Sequence, residues 1–284
     1  MNAGTDSDVA AVKALCDGTA VGASTATNRG LHYGDGVFRT VLLHDGRVVD
    51  WSLHLRKLEA DCGVLGLDAP APGTLEDDLT ALIPSQGDGV LKIIVVRASG
   101  ERGYAPRGSL SQRWVLFYPS RTPRLRHYTD GISVIRSTVP LSEQPLLAGV
   151  KHLNRLDQVL ASRNWAAGID EALMSTAAGD VICGTRGNVF AIHGGRLLTP
   201  RLDRCGVAGI MRQRILEAAA QHGITTTVAP MNWTEVLAAD ELFVCNAVTG
   251  IVPIGSVDGD ARWTTGDTTR RLARLIDHPC HSCL

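Results

Sequence analysis

The sequence lacks three features that would each indicate a class of protein. It has almost no net charge, no long apolar run and no even number of cysteines such as a disulfide-bonded secreted protein would have. Its 28 Lys and Arg residues balance 29 Asp and Glu residues, a formal net charge of -1, so the field of the whole protein favours neither nucleic acid nor an anionic membrane. No apolar run approaches the roughly 20 residues that span a bilayer. The seven cysteines are odd in number, and the opening MNAGTDSDVA does not resemble a signal peptide. We therefore expect a soluble, cytoplasmic protein with reduced thiols.

The composition is that of a folded, turn-rich protein. Hydrophobic residues make up 44% of the 284 residues and charged residues 20%, with 30 Gly and 12 Pro, which is far from disordered or collagen-like composition. The stretch PSRTPRLRHY is basic, contains prolines and has no periodicity, as is typical of a connection. Because strands and helices mix on both sides of it, we predict an α+β (mixed α/β) fold. The predicted parts are a first domain over 1–119, a linker over 120–128, and a second domain over 129–284 that ends in a disordered tail.

Periodicity and turn residues predict the main elements. A hairpin around Asp45 and Gly46 is indicated because Asp-Gly suits a tight primed turn. The run VLKIIVV predicts a strand over 90–96 buried on both faces. Helical spacing predicts helices over 53–65, over 153–167 and from Gly209 to Gly223. A meander of short strands is predicted over residues 171–175, 181–183, 188–193 and 196–198, followed by a strand over 241–248.

Lys151 is the first candidate for chemistry. It lies in the segment GVKHLNR, an apolar, Gly-containing turn ahead of an amphipathic helix, where a lysine would lose solvation. Desolvation lowers the pKa of an ammonium group and yields the free amine that imine chemistry requires. Context alone also allows the alternative of an exposed lysine whose stem packs on the surface.

A glycine-bearing loop that leads into a helix is the second candidate. The segment LDRCGVAGIMR offers free backbone N–H groups and the positive end of a helix dipole, which suit a phosphate. It matches neither the dinucleotide fingerprint nor the Walker pattern, and a lone Gly-x-x-Gly also occurs at ordinary helix starts. An imine-forming lysine together with a phosphate site suggests pyridoxal 5'-phosphate.

At this point the chain resembles the fold-type IV pyridoxal-phosphate enzymes, the family of class IV aminotransferases, whose fold is that of the D-amino acid aminotransferases. The resemblance extends from about residue 15 to residue 258, in order and with matching spacing. It is most specific in KHLNRLDQVLA and TPRLDRCGVAGIMRQ, which are similar to the lyase branch of the family. The segments that carry it are 28–38, 102–104, 151–160, 187–190, 199–212 and 240–253.

The resemblance implies a cofactor, a partner and an activity. Lys151 would bind pyridoxal 5'-phosphate covalently, and the enzyme would be a homodimer. The lyase branch converts 4-amino-4-deoxychorismate to p-aminobenzoate and pyruvate for folate biosynthesis, with the lysine as proton carrier. The implied cofactor-binding residues other than Lys151 are Arg56, Lys57, Cys183, Asn188, Gly209, Ile210, Val248 and Thr249. The implied substrate-binding residues are Tyr33, Arg39, Arg97, Arg102 and Tyr104.

Two positions depart from the family pattern. The family's glutamate at the pyridine nitrogen is replaced by Cys183, a thiol that cannot keep that nitrogen protonated as a carboxylate does. We expect this change to favour elimination, which aromatisation drives, over transamination. The family's phosphate-binding arginine falls at Lys57, which lacks the bidentate fork. Arg56 beside it could serve instead after a local shift.

Several alternatives stay open from sequence alone. Arg39 and Arg97 suit the two carboxylates of the substrate, but either could be a solvated strand residue or an ordinary ion pair. A fold-type IV aminotransferase for D- or branched-chain amino acids is the alternative activity, and a catalytically impaired relative that acts as a binding module is the alternative class. The tail HPCHSC lacks a second ligand pair at matching spacing, so we predict no metal site there.

Overall fold

The computed structural model describes residues 14–16, 19–21, 25, 27–83, 87–98, 103–119, 126–259 and 261–281. They form two compact units. The first contains the described residues up to Pro119 together with Lys151–Asn154, and the second contains those from 126 to Val150 and from Arg155 onward. Residues 120–125 of the predicted linker lie outside the described residues, and residues 126–128 belong to a helix of the second unit.

Strands and helices are interspersed along the chain. The strands are β1 Ala14–Cys16, β2 Thr19–Val21, β3 Gly36–His44, β4 Arg47–Val48, β5 Gly89–Arg97, β6 Ser111–Pro119, β7 Ile132–Arg136, β8 Glu171–Ser175, β9 Val181–Gly184, β10 Asn188–His193, β11 Arg196–Pro200, β12 Thr226–Ala229, β13 Glu241–Asn246, β14 Gly250–Val257 and β15 Ala261–Arg262. The helices are α1 Arg29–Tyr33, α2 Trp51–Leu65, α3 Pro72–Leu82, α4 Arg126–Thr129, α5 Leu156–Ala161, α6 Ile210–Gln221, α7 Trp233–Leu237 and α8 Asp267–Ile276. Short 3-10 turns lie at Pro145–Leu147 and Pro279–His281.

The first unit is built on an antiparallel sheet of four strands in the order β4-β3-β5-β6, with a separate β1-β2 pair. Asp45 and Gly46 both have positive φ, so the predicted hairpin turn is confirmed. Helix α2 turns His54, Leu58, Asp61 and Cys62 inward. It ends at Gly66 (φ 61°), whose left-handed conformation favours glycine.

Strand β5 corrects one expectation about burial. The run VLKIIVV does form a strand, but buried and half-buried residues alternate through most of it. Along most of the strand one set of side chains is buried and the alternate set is half-buried. The expectation of burial on both faces was therefore wrong, and the alternation is typical of an antiparallel sheet with one solvated side.

The second unit is built on a closed ring of strands. Its sheet runs β12-β11-β10-β13-β14-β7-β8-β9, and β9 also pairs with β10, so six of these strands close into a barrel. Helices α6 and α8 lie over an apolar cluster that includes Phe190, Met211 and Leu272. Phe190 stacks on Phe243 at 4.9 Å between ring centroids. The predicted α+β class and the predicted meander are confirmed.

The helix predicted over 153–167 is wrong in extent. Only Leu156–Ala161 is helical, because the preceding residues are extended and pair with the first unit's sheet. Leu153 N donates to Gly36 O, and His152 pairs with Val37. The apolar residues Leu156, Val159 and Leu160 are exposed. Helical spacing in this segment therefore does not mark a face buried within the chain.

The predicted disorder of the C-terminal tail is wrong for residues 278–281. His278, Cys280 and His281 are buried. Nε2 of His281 accepts a hydrogen bond from Ile251 N, and its Nδ1 lies 3.0 Å from Ala273 O. Burial of this ring lowers the pKa of His281 from 6.5 to about 4. Residues 282–284 lie outside the described residues.

This histidine predicts acid sensitivity. Because the folded pKa lies below the unfolded value, the stabilising effect is complete above pH 6.5 and is lost as pH falls toward about 4. We expect the loss to amount to about 3 kcal/mol over that window. Urea unfolding at several pH values should give a shallower slope for His281→Gln, whereas His222→Gln, a change at an exposed ring, should match the wild type. Equal slopes for wild type and His281→Gln would contradict the assignment.

Among the described residues, no helix combines the length and the apolar composition needed to cross a membrane.

Candidate active site

Lys151 is held at the edge of the first unit's sheet. Its main-chain O accepts from Phe38 N at 2.9 Å, and its main-chain N donates to Asp61 Oδ2 at 3.2 Å. The ammonium group lies over the Phe38 ring, 4.5 Å from the centroid. The side chain is half-buried, which a surface lysine with a packed stem would also show, so that alternative stays open. This environment fits a lysine whose main chain is fixed and whose Nζ packs against an aromatic face.

A buried carboxylate, Asp61, gathers cations beside Lys151. Its Oδ2 accepts from Arg39 Nη2 at 2.6 Å, and its Oδ1 forms an ion pair with Lys57 Nζ one helical turn earlier. Asp61 and Arg39 are both buried. The resulting group of side chains is rich in positive charge, which suits an anionic ligand.

His54, on the same inward face of α2, has no hydrogen-bond partner for either ring nitrogen among the described residues. Burial, then the positive charges of Arg39 and Lys151, lower the pKa of His54 to about 3. The ring is therefore neutral at ordinary pH. An unpartnered buried ring nitrogen is costly, so this residue adds a second sign that the region is built to meet a ligand.

The structure separates the two phosphate candidates on α2. Lys57 points inward, and burial lowers the pKa of its ammonium group while Asp61 opposes that shift. Arg56, the next residue back, is exposed. Because adjacent helical residues point about 100° apart, only one of the two can face Asp61. The geometry favours Lys57.

Arg39 and Arg97 are ion-paired residues in this structure, which is one of the alternatives left open by the sequence. Arg97 is buried, pairs with Asp35 through Nε and Nη2, and also donates to the carbonyls of Gly66 and Gly108. Arg39 donates to Phe38 O as well as to Asp61. With its donors occupied, Arg97 is structural, and the expectation that it binds a substrate carboxylate is not supported.

Tyr33 and Tyr104 are brought together. Their ring centroids lie 5.5 Å apart, and Gly103 N donates to the Tyr33 hydroxyl. Arg29, a residue not singled out from the sequence, fastens this loop by donating to the carbonyls of Gly103 and Tyr104. Tyr104 is exposed, so its ring is available to a ligand. The candidate Arg102 lies outside the described residues.

In the second unit, the start of α6 has the features expected of an anion site. Gly209 occupies the N-cap position, and no side chain caps the helix, so the first-turn N–H groups have no side-chain acceptor from the cap residue. A Cβ at Gly209 would collide with Asn188 Oδ1. Asn188 in turn donates to Val207 O at 2.8 Å. Three of the predicted cofactor residues, Asn188, Gly209 and Ile210, thus lie together.

Val248 and Thr249 are in a different situation. Both main-chain N–H groups donate to Asn246 Oδ1 at 2.9 Å. A phosphate could bind these amides only by displacing the Asn246 side chain. The sequence did not predict that Asn246 occupies them. The α6 N-terminus is therefore the better-supported of the two predicted phosphate contacts, and the role of Val248 and Thr249 stays a prediction.

Cys183 lies in β9 beside Asn188, its register partner in β10. It is buried in an apolar cluster that includes Met174 and Cys205. Cys183 forms no disulfide within the part of the chain that the structure describes. The structure thus places this unusual residue next to another predicted cofactor residue, while its role at a pyridine nitrogen stays a prediction.

Similarity to known proteins identifies the family to which this chain belongs. The model described as amino-transferase class IV matches residues 36–257. The chain belongs to the aminotransferase class IV family. It is 32% identical over 255 residues to the aminodeoxychorismate lyase of Vibrio harveyi, a match that covers 86% of this chain and 92% of that protein.

Solved structures agree with the class IV assignment. The 4-amino-4-deoxychorismate lyase from Pseudomonas aeruginosa has 37% sequence identity and a TM-score of 0.81, covering 89% of this chain and 94% of that chain. An aminotransferase from Brucella abortus bound to the co-factor PLP has a TM-score of 0.76 and covers 88% of this chain and 90% of that one. At 20% identity, this second likeness shows the fold alone. The expected fold-type IV architecture is confirmed.

Proposed function

We propose that this class IV chain is a pyridoxal-phosphate-dependent lyase that converts 4-amino-4-deoxychorismate to p-aminobenzoate and pyruvate, a step toward folate. The observation that carries the proposal is the similarity, over nearly the whole chain, to lyases from Vibrio harveyi and Pseudomonas aeruginosa. Both are named for this activity. The half-buried Lys151 supplies the amine that such an enzyme requires.

The residues present fit the cofactor. A primary amine at Lys151 and an inward ammonium group at Lys57 lie in the first unit, beside His54 with its unpartnered ring nitrogens. The second unit offers the uncapped start of α6 at Gly209. We assign Lys151 to covalent attachment, and we take Lys57 in the first unit and the N–H groups of α6 in the second as separate candidates for the phosphate.

The cofactor, when joined to an amine, withdraws electrons and makes the neighbouring C–H bond acidic. Lys151 Nζ would remove the proton from the ring carbon that bears the substrate's amine. The same Nζ can return the proton to the departing enolpyruvate group, which leaves as pyruvate. Formation of the aromatic ring supplies much of the driving force. The main contribution of the protein is thus to orient Lys151 and the substrate relative to each other.

Recognition of the substrate falls to a small set of residues. Because Arg39 and Arg97 donate to protein acceptors, we assign the substrate's carboxylates first to Arg102 and to the polar edge formed by Tyr33 and Tyr104. The net charge of -1 means that local groups, not the field of the whole protein, must attract a dianion.

The test couples the purified protein to a synthase that makes aminodeoxychorismate from chorismate. We expect p-aminobenzoate and pyruvate to appear in equal amounts. The same protein is then offered D-alanine or branched-chain amino acids with a keto acid acceptor. Transamination as fast as p-aminobenzoate formation would favour the aminotransferase alternative, and a colourless protein that stays colourless with the cofactor would favour the binding module.

Cys183 predicts reaction specificity. We expect Cys183→Glu, which restores the family's carboxylate, to raise transamination relative to p-aminobenzoate formation by about tenfold, since a carboxylate strengthens the electron-withdrawing ring. The measurement is the ratio of the two activities for one preparation of each variant. Cys205→Ser, a change at another buried thiol of the same cluster, is the control. A ratio that Cys183→Glu leaves unchanged would remove Cys183 from the site.

We further propose a cytoplasmic homodimer. Its support is the family resemblance, five cysteines that form no disulfide among the described residues, and a set of exposed apolar side chains that a second copy could cover. The exposed side chains in question are Leu31, Leu146, Leu156, Val159 and Leu160. Sedimentation of the full chain across a range of concentrations tests the dimer.

A further inference from the structure

Asp61 is a buried acidic residue that is absent from every motif by which the chain resembles its family. Its two carboxylate oxygens meet three donors: Lys57 Nζ, Arg39 Nη2 at 2.6 Å and Lys151 N at 3.2 Å. The side chain is almost fully buried, with 1% of its surface exposed. A carboxylate in such a place is kept only where its partners are fixed, because breaking a buried pair leaves an uncompensated charge.

We infer that Asp61 is a positioning residue that holds the Lys57 ammonium group charged and in one orientation for the cofactor's phosphate. The inference rests on the proposed function, since it takes Lys57 as a phosphate ligand. It goes beyond that function because it assigns a role to a residue outside the reacting groups. Asp61 acts through Lys57 and does not touch the substrate in this assignment.

The need for such a residue follows from the lysine itself. Arginine carries a rigid fork of donors and a charge that burial rarely removes, whereas lysine is a flexible point charge that burial readily neutralises. Burial does lower the pKa of Lys57, and the charge and hydrogen bond of Asp61 oppose that effect. A lysine at this position therefore keeps its charge and its direction through a partner one turn away on α2.

The contact with Lys151 places this pair beside the reactive amine. Asp61 Oδ2 accepts from the main-chain N of Lys151, and Arg39 binds the same oxygen while donating to Phe38 O. Phe38 N in turn donates to Lys151 O. The Asp61 carboxylate thus contacts both the Lys57 ammonium group on α2 and the main chain of Lys151 at the strand edge.

The test is a double-mutant cycle on cofactor affinity. Full-length holoenzyme is prepared as wild type, Asp61→Asn, Lys57→Met and the double variant. The dissociation constant for pyridoxal 5'-phosphate is then measured from the visible absorption of the bound cofactor. We expect Asp61→Asn to weaken binding about tenfold when Lys57 is present and less than about twofold when Lys57 is replaced by Met.

Two results of the double-mutant cycle would overturn the inference. An equal loss in both backgrounds would mean that Asp61 acts on the fold and not through Lys57, and no loss in either would mean that it has no part in binding; both overturn the inference. Glu59→Gln, the same charge change at an exposed position of α2, should leave the affinity unchanged. If Asp61→Asn does not fold, Asp61→Glu moves the charge by one methylene group, and the same dependence on Lys57 is expected. An Asp61→Glu change that alters the affinity equally, or not at all, with Lys57 present and with Lys57 replaced by Met would likewise overturn the inference.

The readout separates this inference from the proposed function. Cofactor affinity is measured without substrate, so a protein that binds pyridoxal 5'-phosphate but makes no p-aminobenzoate would defeat the lyase assignment and leave the cycle interpretable. A wild-type protein that binds no cofactor would defeat both.

Discussion

The variant Lys151→Ala is expected to form p-aminobenzoate at least about 1,000-fold more slowly than the wild type, because it lacks both the amine that binds the cofactor and the group that moves the proton. The fold should persist. The main-chain contacts of Lys151 to Phe38 and Asp61 do not depend on its side chain. Coupled assays of product, circular dichroism and the visible absorption band together check this expectation.

A matched control exists for this change. Lys92 also lies over the Phe38 ring, at 5.3 Å from the centroid compared with 4.5 Å for Lys151. Lys92→Ala removes an equivalent amine from the same ring and should keep the visible band and most of the activity. Equal product from Lys151→Ala and wild type would defeat the assignment of Lys151, and loss of activity in both variants would move attention to the Phe38 ring.

The variant Arg97→Met is expected to lower the free energy of unfolding by about 3 to 5 kcal/mol, since it leaves Asp35 and several buried carbonyl groups without a donor. Arg97 is buried and donates to Asp35, Gly66 and Gly108. Unfolding in urea, followed by tryptophan fluorescence, measures the change. This prediction contrasts with a role in substrate binding, which would raise KM and leave stability intact.

Arg113→Met is the control for that experiment. Arg113 lies on the neighbouring strand β6 and forms a two-bond ion pair with Asp78, but the pair is exposed to solvent, so its loss should cost no more than about 1 kcal/mol. If Arg97→Met proved as stable as Arg113→Met and raised KM alone, Arg97 would have to be returned to the substrate site.

Local signals predicted much of the fold. The Asp45-Gly46 turn, the extent of α2 as far as residue 65 and the strands of the meander could be predicted because each depends on a few neighbouring residues. The length of α5 could not. Leu156, Val159 and Leu160 have helical spacing, but the residues just before them are drawn into a strand pairing with distant Gly36 and Val37, which no local pattern reports.

The candidate site divides along the same line. Gly209 could be proposed from local sequence because a glycine ahead of a helix is typical of an anion site, whereas Lys151 was assigned through the family resemblance. Asp61 and Asn246 could not be assigned, because their importance lies in partners brought from elsewhere in the chain or in a turn whose amides Asn246 occupies. A single signal was present for Asp61: it lies four residues after Lys57, on the helix face that also carries Leu58 and Cys62.

The placement of Lys151–Asn154 in the first unit has a consequence for the order of synthesis and folding. The rest of that unit ends at Pro119, and the chain then builds part of the second unit before it returns for these four residues. The strand edge at Gly36 and Val37 therefore stays incomplete on the ribosome until residue 154 has emerged. Such non-local pairing is formed late and slowly. Lys151 is thus among the last parts of its unit to be put in place during synthesis.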